Sequence, residues 1–167
     1  MAKHLNKTNA ARLLDRANIP YELVPYEVDE NNLAAQHVAE SLGEDIRQVF
    51  KTIVLHGEKV GHFVCVVPGN SEIDLKKAAR AAGAKKAELI AMKDLLPLTG
   101  YIRGGCSPIG MKKPFPIFFH SSATDFSEIY VSAGMRGLQL RIAPVALIEF
   151  VGGQLTDLVE STDTNNE

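Results

Sequence analysis

A lysine inside an apolar stretch is the most informative single residue of this chain. Lys51 lies in the segment 49–56, whose other residues are mostly apolar. Successive side chains of a strand point to opposite faces, so Lys51 is predicted to share a face with Ile53 and Leu55. Its ammonium group either reaches water at the end of the strand or lies at the mouth of a pocket and binds an anion there. The residues alone leave both interpretations open.

The second segment of chemical interest is Gly-Gly-Cys-Ser-Pro at residues 104–108. Gly104 and Gly105 allow positive φ angles and let the backbone approach a ligand closely. Exposed amides in such a turn bind a carboxylate or a carbonyl oxygen, and Pro108 restricts Ser107 to extended conformations. A tight connection without a ligand is the alternative interpretation, because the motif is weak by itself.

Cys106 and Ser107 are candidate nucleophiles, so a covalent hydrolase that uses Cys106 is one hypothesis. A nucleophile of this kind needs a histidine base and an orienting carboxylate. His120 is the nearest later histidine, and no triad signature surrounds either residue. Cys65 lies in an apolar run and is predicted to be a packed core thiol. Covalent catalysis is therefore the less favoured mechanism.

Metal and cofactor chemistry find little support in the sequence. The five histidines, His4, His37, His56, His62 and His120, include no pair spaced like His-Glu-X-X-His. The chain also has no Walker A loop. The sequence therefore predicts neither a bound metal nor a cofactor.

Composition and charge describe an ordinary globular protein. The chain has 167 residues, of which 46% are hydrophobic and 23% charged, typical of one folded domain. The two cysteines do not suggest a disulfide framework. No signal-peptide run or membrane-spanning stretch is evident, so we expect a cytoplasmic protein without membrane contact.

The net charge of −2 is not that of a basic nucleic-acid-binding protein. Any contact with phosphates must then come from a local group of basic residues. Each such group has a simpler interpretation as a solvated face. The candidate groups are Lys76, Lys77 and Arg80; Lys85 and Lys86; and Lys112 and Lys113.

The elements that position these residues follow from periodicity and turn signals. Helices are predicted from Thr8 to residue 17 and over 33–42, 74–82, 91–96 and 143–150, and strands over 21–28, 49–56, 62–67, 117–120, 128–132 and 137–142. The segment 98–116 is predicted to be loops around a short strand. The strands at 49–56 and 62–67 should form a central hairpin that is covered on both faces. The fold class is therefore α+β, a single domain over 1–160 with a mixed, largely antiparallel curved β-sheet flanked by helices. Residues 161–167 are predicted to be a disordered tail.

Several motifs, taken in order, resemble the YbaK family of aminoacyl-tRNA editing domains. These are Phe-Lys-Thr-Ile at 50–53, the glycine-rich segment 100–110 followed by two lysines, Asp-Leu-Lys-Lys-Ala at 74–78 with Gly-Ala-Lys-Lys at 83–86, and the segment 129–138. The similarity extends from about residue 14 to residue 150. It is the order and spacing of the motifs together that makes the resemblance specific.

The resemblance implies a fold shared with the editing insertion of bacterial prolyl-tRNA synthetases and an activity that hydrolyses mischarged tRNA. By that resemblance, Lys51 holds the terminal adenosine of the tRNA or its phosphate, and the amides of Gly104, Gly105 and their neighbours hold the aminoacyl carbonyl. Tyr26 and Ser132 match a family tyrosine near the pocket and a family serine on a late strand. Cys106, Ser107 and Pro108 complete the expected substrate-binding loop.

In the branch of the family that removes cysteine from the proline tRNA, the substrate's own thiol is thought to attack its carbonyl, so no enzymatic nucleophile is required. This chain departs from that branch at Gln139, where the branch carries an aspartate. An amide lacks the charge of a carboxylate, which places the cysteine specificity in question. The expected function is a deacylase acting in trans on Cys-tRNA(Pro), with the tRNA 3′ end and prolyl-tRNA synthetase as partners. The alternative is a catalytically silent module that binds a nucleotide, a tRNA 3′ end or a synthetase.

Overall fold

A computed structural model of the chain describes residues 7–161. His4 and the part of the predicted tail beyond residue 161 lie outside the described residues. The helices are α1 (Asn9–Arg16), α2 (Ala35–Leu42), α3 (Leu75–Ala82), α4 (Leu95–Thr99) and α5 (Pro144–Val151). The strands are β1 (Glu22–Pro25), β2 (Phe50–Gly57), β3 (Gly61–Pro68), β4 (Ala87–Leu89), β5 (Ile117–His120), β6 (Ile129–Met135), β7 (Leu138–Ile142) and β8 (Gln154–Thr156). The α+β class predicted from the sequence is confirmed.

Capping residues explain where two of the helices begin. The Thr8 hydroxyl accepts a hydrogen bond from the amide of Ala11 at the start of α1. The Asp74 carboxylate accepts from the amides of Lys76 and Lys77 at the start of α3. Both contacts satisfy amides that have no partner inside the helix.

The strands form two sheets rather than the one curved sheet that was predicted. A five-stranded sheet has the order β4-β2-β3-β5-β8, and a three-stranded sheet has the order β1-β7-β6. The pairs β3–β5 and β5–β8 are parallel, whereas the other pairs are antiparallel. An isolated bridge between Val49 and Tyr130 connects the two sheets just before β2 begins.

The predicted hairpin is confirmed as the centre of the larger sheet. Strand β2 pairs with β3 in a register that places Lys51 opposite Val67. A large core packs on one face and includes Val54 and Val66. A smaller core with Leu55 and Cys65 packs on the other face, against α3. Both faces of the hairpin are therefore covered.

Three local predictions were wrong. No strand forms within 98–116, and α4 continues through Pro97 to Thr99, which is possible because proline is tolerated in the first turn of a helix. The three-residue strands β4 and β8 were not predicted, because their sequences, Ala-Glu-Leu and Gln-Leu-Thr, carry little strand signal. Neither strand is fixed by its own sequence; each pairs with a longer neighbour.

Candidate functional site

Lys51 lies partly buried near the beginning of β2, close to the bridge that connects the sheets. Its Nζ donates a long hydrogen bond of 3.4 Å to the carbonyl oxygen of Gly69. Burial lowers the pKa of the Lys51 ammonium, and the negative charge of Glu72 acts in the opposite direction. The charged group is thus desolvated and weakly satisfied by the protein, which is the condition in which an anionic ligand is favoured.

Gly69 holds the carbonyl that faces Lys51, and its position requires a glycine. A Cβ atom at this residue would lie 2.4 Å from the Cβ of Ala35 and 3.0 Å from the carbonyl oxygen of Val49. The Gly69 amide donates to that same Val49 oxygen at 2.8 Å. The turn after β3 therefore packs tightly between α2 and the start of β2, which fixes the acceptor for Lys51.

A cavity of about 480 Å³ opens beside Lys51. Its walls come from the start of α2, the start of β2, the turn after β3, the loop before Cys106 and the strands β6 and β7. The lining residues include Leu33, Gln36, Lys51, Thr52, Gly69, Glu72, Arg103, Gly104, Cys106, Ser132 and Gln139. The structure thus brings five of the predicted site residues, Lys51, Gly104, Cys106, Ser132 and Gln139, to one cavity.

A second cavity of about 330 Å³ shares a wall with the first. The shared residues include Lys51, Glu72 and Arg103. The remainder of the second cavity is apolar and is lined by Val54, Ile73, Leu89, Ile90, Met92 and Leu95. Lys51 therefore lies on the wall between the first cavity, which we call the polar compartment, and the second, which we call the apolar compartment.

Arginine contacts hold the loop 103–108 against β6. Arg136 donates from Nε to the carbonyl oxygen of Arg103 at 2.8 Å and pairs with Glu30 at 2.7 Å. Gly104 has φ 84°, a conformation that favours glycine. A Cβ on Gly105 would lie 3.0 Å from the backbone of Met135 and Arg136, so this close approach also requires a glycine.

The loop does not present all of its predicted groups to the cavity. The Gly105 amide donates to the carbonyl oxygen of Ile102 at 2.9 Å, and is therefore engaged in a turn. Ser107 is fully buried, and its hydroxyl accepts from the Ile109 amide at 3.2 Å. Gly105, Ser107 and Pro108 lie behind the surface that lines the cavity. Gly104 and Cys106 are the loop residues that reach it.

Cys106 lines both cavities, but its thiol is not prepared for nucleophilic attack. Burial raises the pKa of Cys106 to about 12, and burial has the same effect on the pKa of Cys65. A thiol reacts as its thiolate, and at neutral pH a thiol with so high a pKa is almost entirely protonated. Both cysteines are free.

The polar compartment contains two buried oxygen atoms that have no hydrogen-bond partner among residues 7–161. These are Thr52 Oγ1 and Gln139 Oε1. Gln139 is opposite Ser132 in the β6–β7 pair, and the Ser132 hydroxyl accepts from the Gly134 amide at 3.1 Å. Unpartnered buried acceptors are unfavourable, so both oxygen atoms lower the stability of the fold at the wall of this compartment.

Tyr26 does not line either cavity. It packs beside Val38, Val49 and Tyr130 in a small apolar cluster, and its amide donates to the carbonyl oxygen of Gly137 at 3.0 Å. Val38 and Val49 also line the 480 Å³ cavity, so Tyr26 supports the wall from behind.

The lining residues that sequence reasoning did not assign to the site include Thr52, Gly69, Glu72 and Arg103. The predicted hairpin contained a signal for two of them. Its short turn fixes the β2–β3 register, which places the residues that follow Val67 beside Lys51. Gly69 and Glu72 were therefore predictable neighbours of Lys51.

Within residues 7–161, no cluster of three or more His, Cys, Asp or Glu side chains is placed to hold a metal ion. His120 accepts a hydrogen bond from the Leu158 amide at 3.1 Å and lies 3.7 Å from Asp157, apart from the cavities that contain Lys51. None of the described helices has the length and apolar character needed to cross a membrane.

Comparison with known proteins identifies the family of this chain. Residues 29–150 match the model of the aminoacyl-tRNA editing domain. The candidate Cys-tRNA(Pro)/Cys-tRNA(Cys) deacylase EbsC of Enterococcus faecalis is 48% identical over 156 residues, which cover 93% of this chain and 95% of that protein. The proline–tRNA ligase of Fervidobacterium nodosum is 30% identical over 82 residues, which are 49% of this chain and 14% of the ligase.

A solved structure agrees with the sequence matches. The crystal structure of a candidate trans-editing enzyme for prolyl-tRNA synthetase superposes with a TM-score of 0.75 at 27% identity, over 84% of this chain and 87% of the other. The family predicted from the sequence motifs is thereby confirmed. This chain belongs to the aminoacyl-tRNA editing domain family.

Proposed function

We propose that the protein is an aminoacyl-tRNA deacylase that acts in trans and that Cys-tRNA(Pro) is its substrate. The observation that carries this proposal is the position of Lys51, a desolvated cation on the wall between a polar and an apolar compartment. The terminal adenosine of an aminoacyl-tRNA carries a phosphate on one side and the amino acid on the other. A cation between two compartments fits that arrangement. The 48% identity to the deacylase EbsC supports the same substrate class.

In this proposal Lys51 binds the phosphate or ribose of the terminal adenosine. The aminoacyl group enters the polar compartment, whose walls include the polar residues Thr52, Ser132 and Gln139. Gly104 and the amide of Cys106 face the ester carbonyl and polarise it. The Gly105 amide already donates to the carbonyl oxygen of Ile102. We therefore assign the contact with the ester carbonyl to Gly104 and Cys106 and not to Gly105.

The bond-breaking step requires a nucleophile that the protein does not supply as a thiolate. With a cysteinyl ester, the substrate thiol attacks its own carbonyl, the ester C–O bond breaks, and the thiol proton passes to the leaving ribose oxygen. Water then opens the resulting thiolactone. The protein contributes orientation and carbonyl polarisation, which are effective for an ester that is already activated.

The test is a panel of cysteinyl-, alanyl- and prolyl-tRNA(Pro), incubated with the wild-type protein and with Lys51→Ala. We expect loss of the cysteinyl ester that Lys51→Ala abolishes. Hydrolysis of alanyl-tRNA(Pro) at a similar rate would contradict the thiol mechanism, because alanine has no nucleophile. No hydrolysis of any ester would favour the alternative, a module that binds the tRNA 3′ end, for which the neutral Gln139 in place of a carboxylate is the supporting observation.

We also propose prolyl-tRNA synthetase as a partner and the cytoplasm as the place of action, since tRNA is charged there. The support is the match of this chain to 14% of a proline–tRNA ligase, which indicates that a similar unit exists inside a synthetase. Addition of the synthetase to the deacylation assay is expected to increase the rate at limiting tRNA concentration.

A further inference from the structure

A third cavity lies outside the site around Lys51. It measures about 540 Å³ and lies between α3 and β4. Its lining includes the basic residues Lys76, Lys85 and Lys86 and the acidic residues Glu58 and Glu88. We call this cavity the basic groove.

The basic groove neighbours the apolar compartment beside Lys51 on two segments of the chain. Along β4, Ala87 and Glu88 line the basic groove, whereas the next two residues, Leu89 and Ile90, line the apolar compartment. At the start of α3 the same change occurs between Ile73 and Leu75. The two cavities share no lining residue but are neighbours at both segments, and we refer to them together as the track, from Lys51 to the lysine pair at 85–86.

The track changes character along its length in the manner of a single-strand binding surface. Near Lys51 it exposes apolar side chains: Leu89 is 56% and Met92 58% exposed. Farther along, three lysines line the basic groove, against two glutamates. Single-strand binding surfaces combine side chains that contact the base faces, most often aromatic ones, with cations along the backbone; in this protein the aliphatic side chains of Leu89 and Met92 would provide the contact with the base.

The lysines of the basic groove are available for phosphates. Among residues 7–161, Lys76, Lys85 and Lys86 form no salt bridge within 4.0 Å. By contrast, Lys77 on the same helix is engaged with Asp157 at 2.8 Å and with the carbonyl oxygen of Val159. The Lys86 carbonyl accepts from the Glu58 amide at 2.9 Å, which fixes the backbone of the lysine pair against the β2–β3 turn.

We propose that this track binds the single-stranded 3′ end of the tRNA, with the terminal adenosine on the apolar platform and the preceding phosphates in the basic groove. The inference rests on the proposed function, because Lys51 anchors the end of the strand. From Leu89 to Lys86 the track runs about 10 Å at ~3.3 Å per strand residue. That length accommodates two or three nucleotides at about 3.4 Å per stacked nucleotide.

In this proposal Lys85 and Lys86 make two phosphate contacts, and this number determines the expected loss of RNA affinity when both are replaced. For single strands the slope of log K against log salt is about −0.7 for each contact. At 0.1 M salt two contacts then contribute about 25-fold in affinity relative to 1 M salt. The double variant Lys85→Gln/Lys86→Gln should therefore bind about 20-fold more weakly and lose about 1.4 from the salt slope.

The experiment uses fluorescence anisotropy with the full chain and a labelled six-nucleotide RNA that ends in CCA, from 0.05 to 0.3 M salt. Lys112→Gln/Lys113→Gln is the matched control, because it removes the same charge from adjacent exposed lysines that line none of the three cavities. Deacylation of cysteinyl-tRNA(Pro) and of the phosphate-free ester cysteinyl-adenosine is measured in parallel. We expect the Lys85/Lys86 variant to raise KM for the tRNA and to leave kcat/KM for cysteinyl-adenosine unchanged.

The outcomes separate this inference from the proposed function. Equal RNA affinity and equal salt slope for both double variants would overturn the inference, even if the wild-type protein hydrolyses the ester. RNA binding that depends on Lys85 and Lys86, without hydrolysis of any ester, would support the inference and contradict the deacylase. Met92→Ala gives a second check: it should weaken RNA binding without changing the salt slope, because it removes platform area and no charge.

Discussion

Replacing Lys51 by methionine is expected to stabilise the fold while it abolishes deacylation. Burial lowers the pKa of this ammonium, so the protein holds a charge that is poorly solvated. Its described hydrogen bond, to Gly69, is 3.4 Å long. Methionine keeps an unbranched apolar stem in the same space and removes the charge. The residue that we propose binds the substrate is thus one that lowers the stability of the folded protein.

The partial burial of Lys51 determines how much Lys51→Met should increase the free energy of unfolding. A single stabilising substitution commonly adds about 0.5–2 kcal/mol to the free energy of unfolding. A partly buried ammonium retains some hydration, which favours the lower half of that range, about 1 kcal/mol. For a domain of 150–250 residues this corresponds to an increase in Tm of about 2–4 °C.

The stabilisation of the fold by Lys51→Met should decrease as the pH rises. The Lys51 pKa is lower in the folded protein than the ordinary value of 10.5. Between these two values the unfolded chain holds a proton that the folded chain has released, so wild-type stability rises with pH there. The advantage of Lys51→Met is therefore complete at neutral pH and shrinks as the pH approaches 10.5.

Thermal unfolding followed by circular dichroism at pH 7 and pH 10 measures both effects, beside the deacylation assay. Lys113→Met is the control, because Lys113 is exposed and lines none of the three cavities. A lower Tm for Lys51→Met would show that the ammonium supports the fold through Gly69. Full activity in Lys51→Met would refute its role at the substrate.

Three further perturbations test the surroundings of Lys51. Gly69→Ala should lower the free energy of unfolding by about 1–3 kcal/mol, because the new Cβ meets Ala35 at 2.4 Å; an unchanged urea midpoint would contradict this. Cys106→Ala should retain most of the deacylase activity, because burial raises the pKa of that thiol to about 12; inactivity with cysteinyl-tRNA would revive covalent catalysis. Thr52→Val should stabilise the fold by about 1 kcal/mol, because it removes a buried hydroxyl without a partner among residues 7–161; a lower Tm would reveal a partner such as ordered water.

The parts of the fold that local sequence determines were predicted well. The hairpin of β2 and β3 has long β-branched runs around a short turn, and α3 has an aspartate cap and a terminal glycine. The strands β4 and β8 were missed because three residues carry too little pattern to distinguish them from loops. The parallel pair β3–β5 joins segments that lie far apart in the chain, so no short-range signal specifies it.

The site was predicted only in part for the same physical reason. Lys51 was identifiable because a charge in an apolar strand conflicts with its surroundings. The roles of Gly105 and Ser107 were harder to infer, because a glycine-rich loop does not reveal which of its amides are already bonded. In the structure the Gly105 amide closes a turn with Ile102, and Ser107 bonds to Ile109. Family resemblance identified the loop, whereas the hydrogen bonds distinguish its exposed groups from its structural ones.

The position of the cavity at the junction of the two sheets explains why its residues are so dispersed in sequence. Strand β2 brings Lys51 from the larger sheet, and the β6–β7 pair brings Ser132 and Gln139 from the smaller one. The bridge between Val49 and Tyr130 sets how these strands meet. Tyr26 packs in the same cluster as Val49 and Tyr130 and lines neither cavity beside Lys51. We therefore propose that Tyr26 acts by positioning: a substitution there should change how the two sheets join, and with it the wall of the cavity, without removing a contact with the substrate.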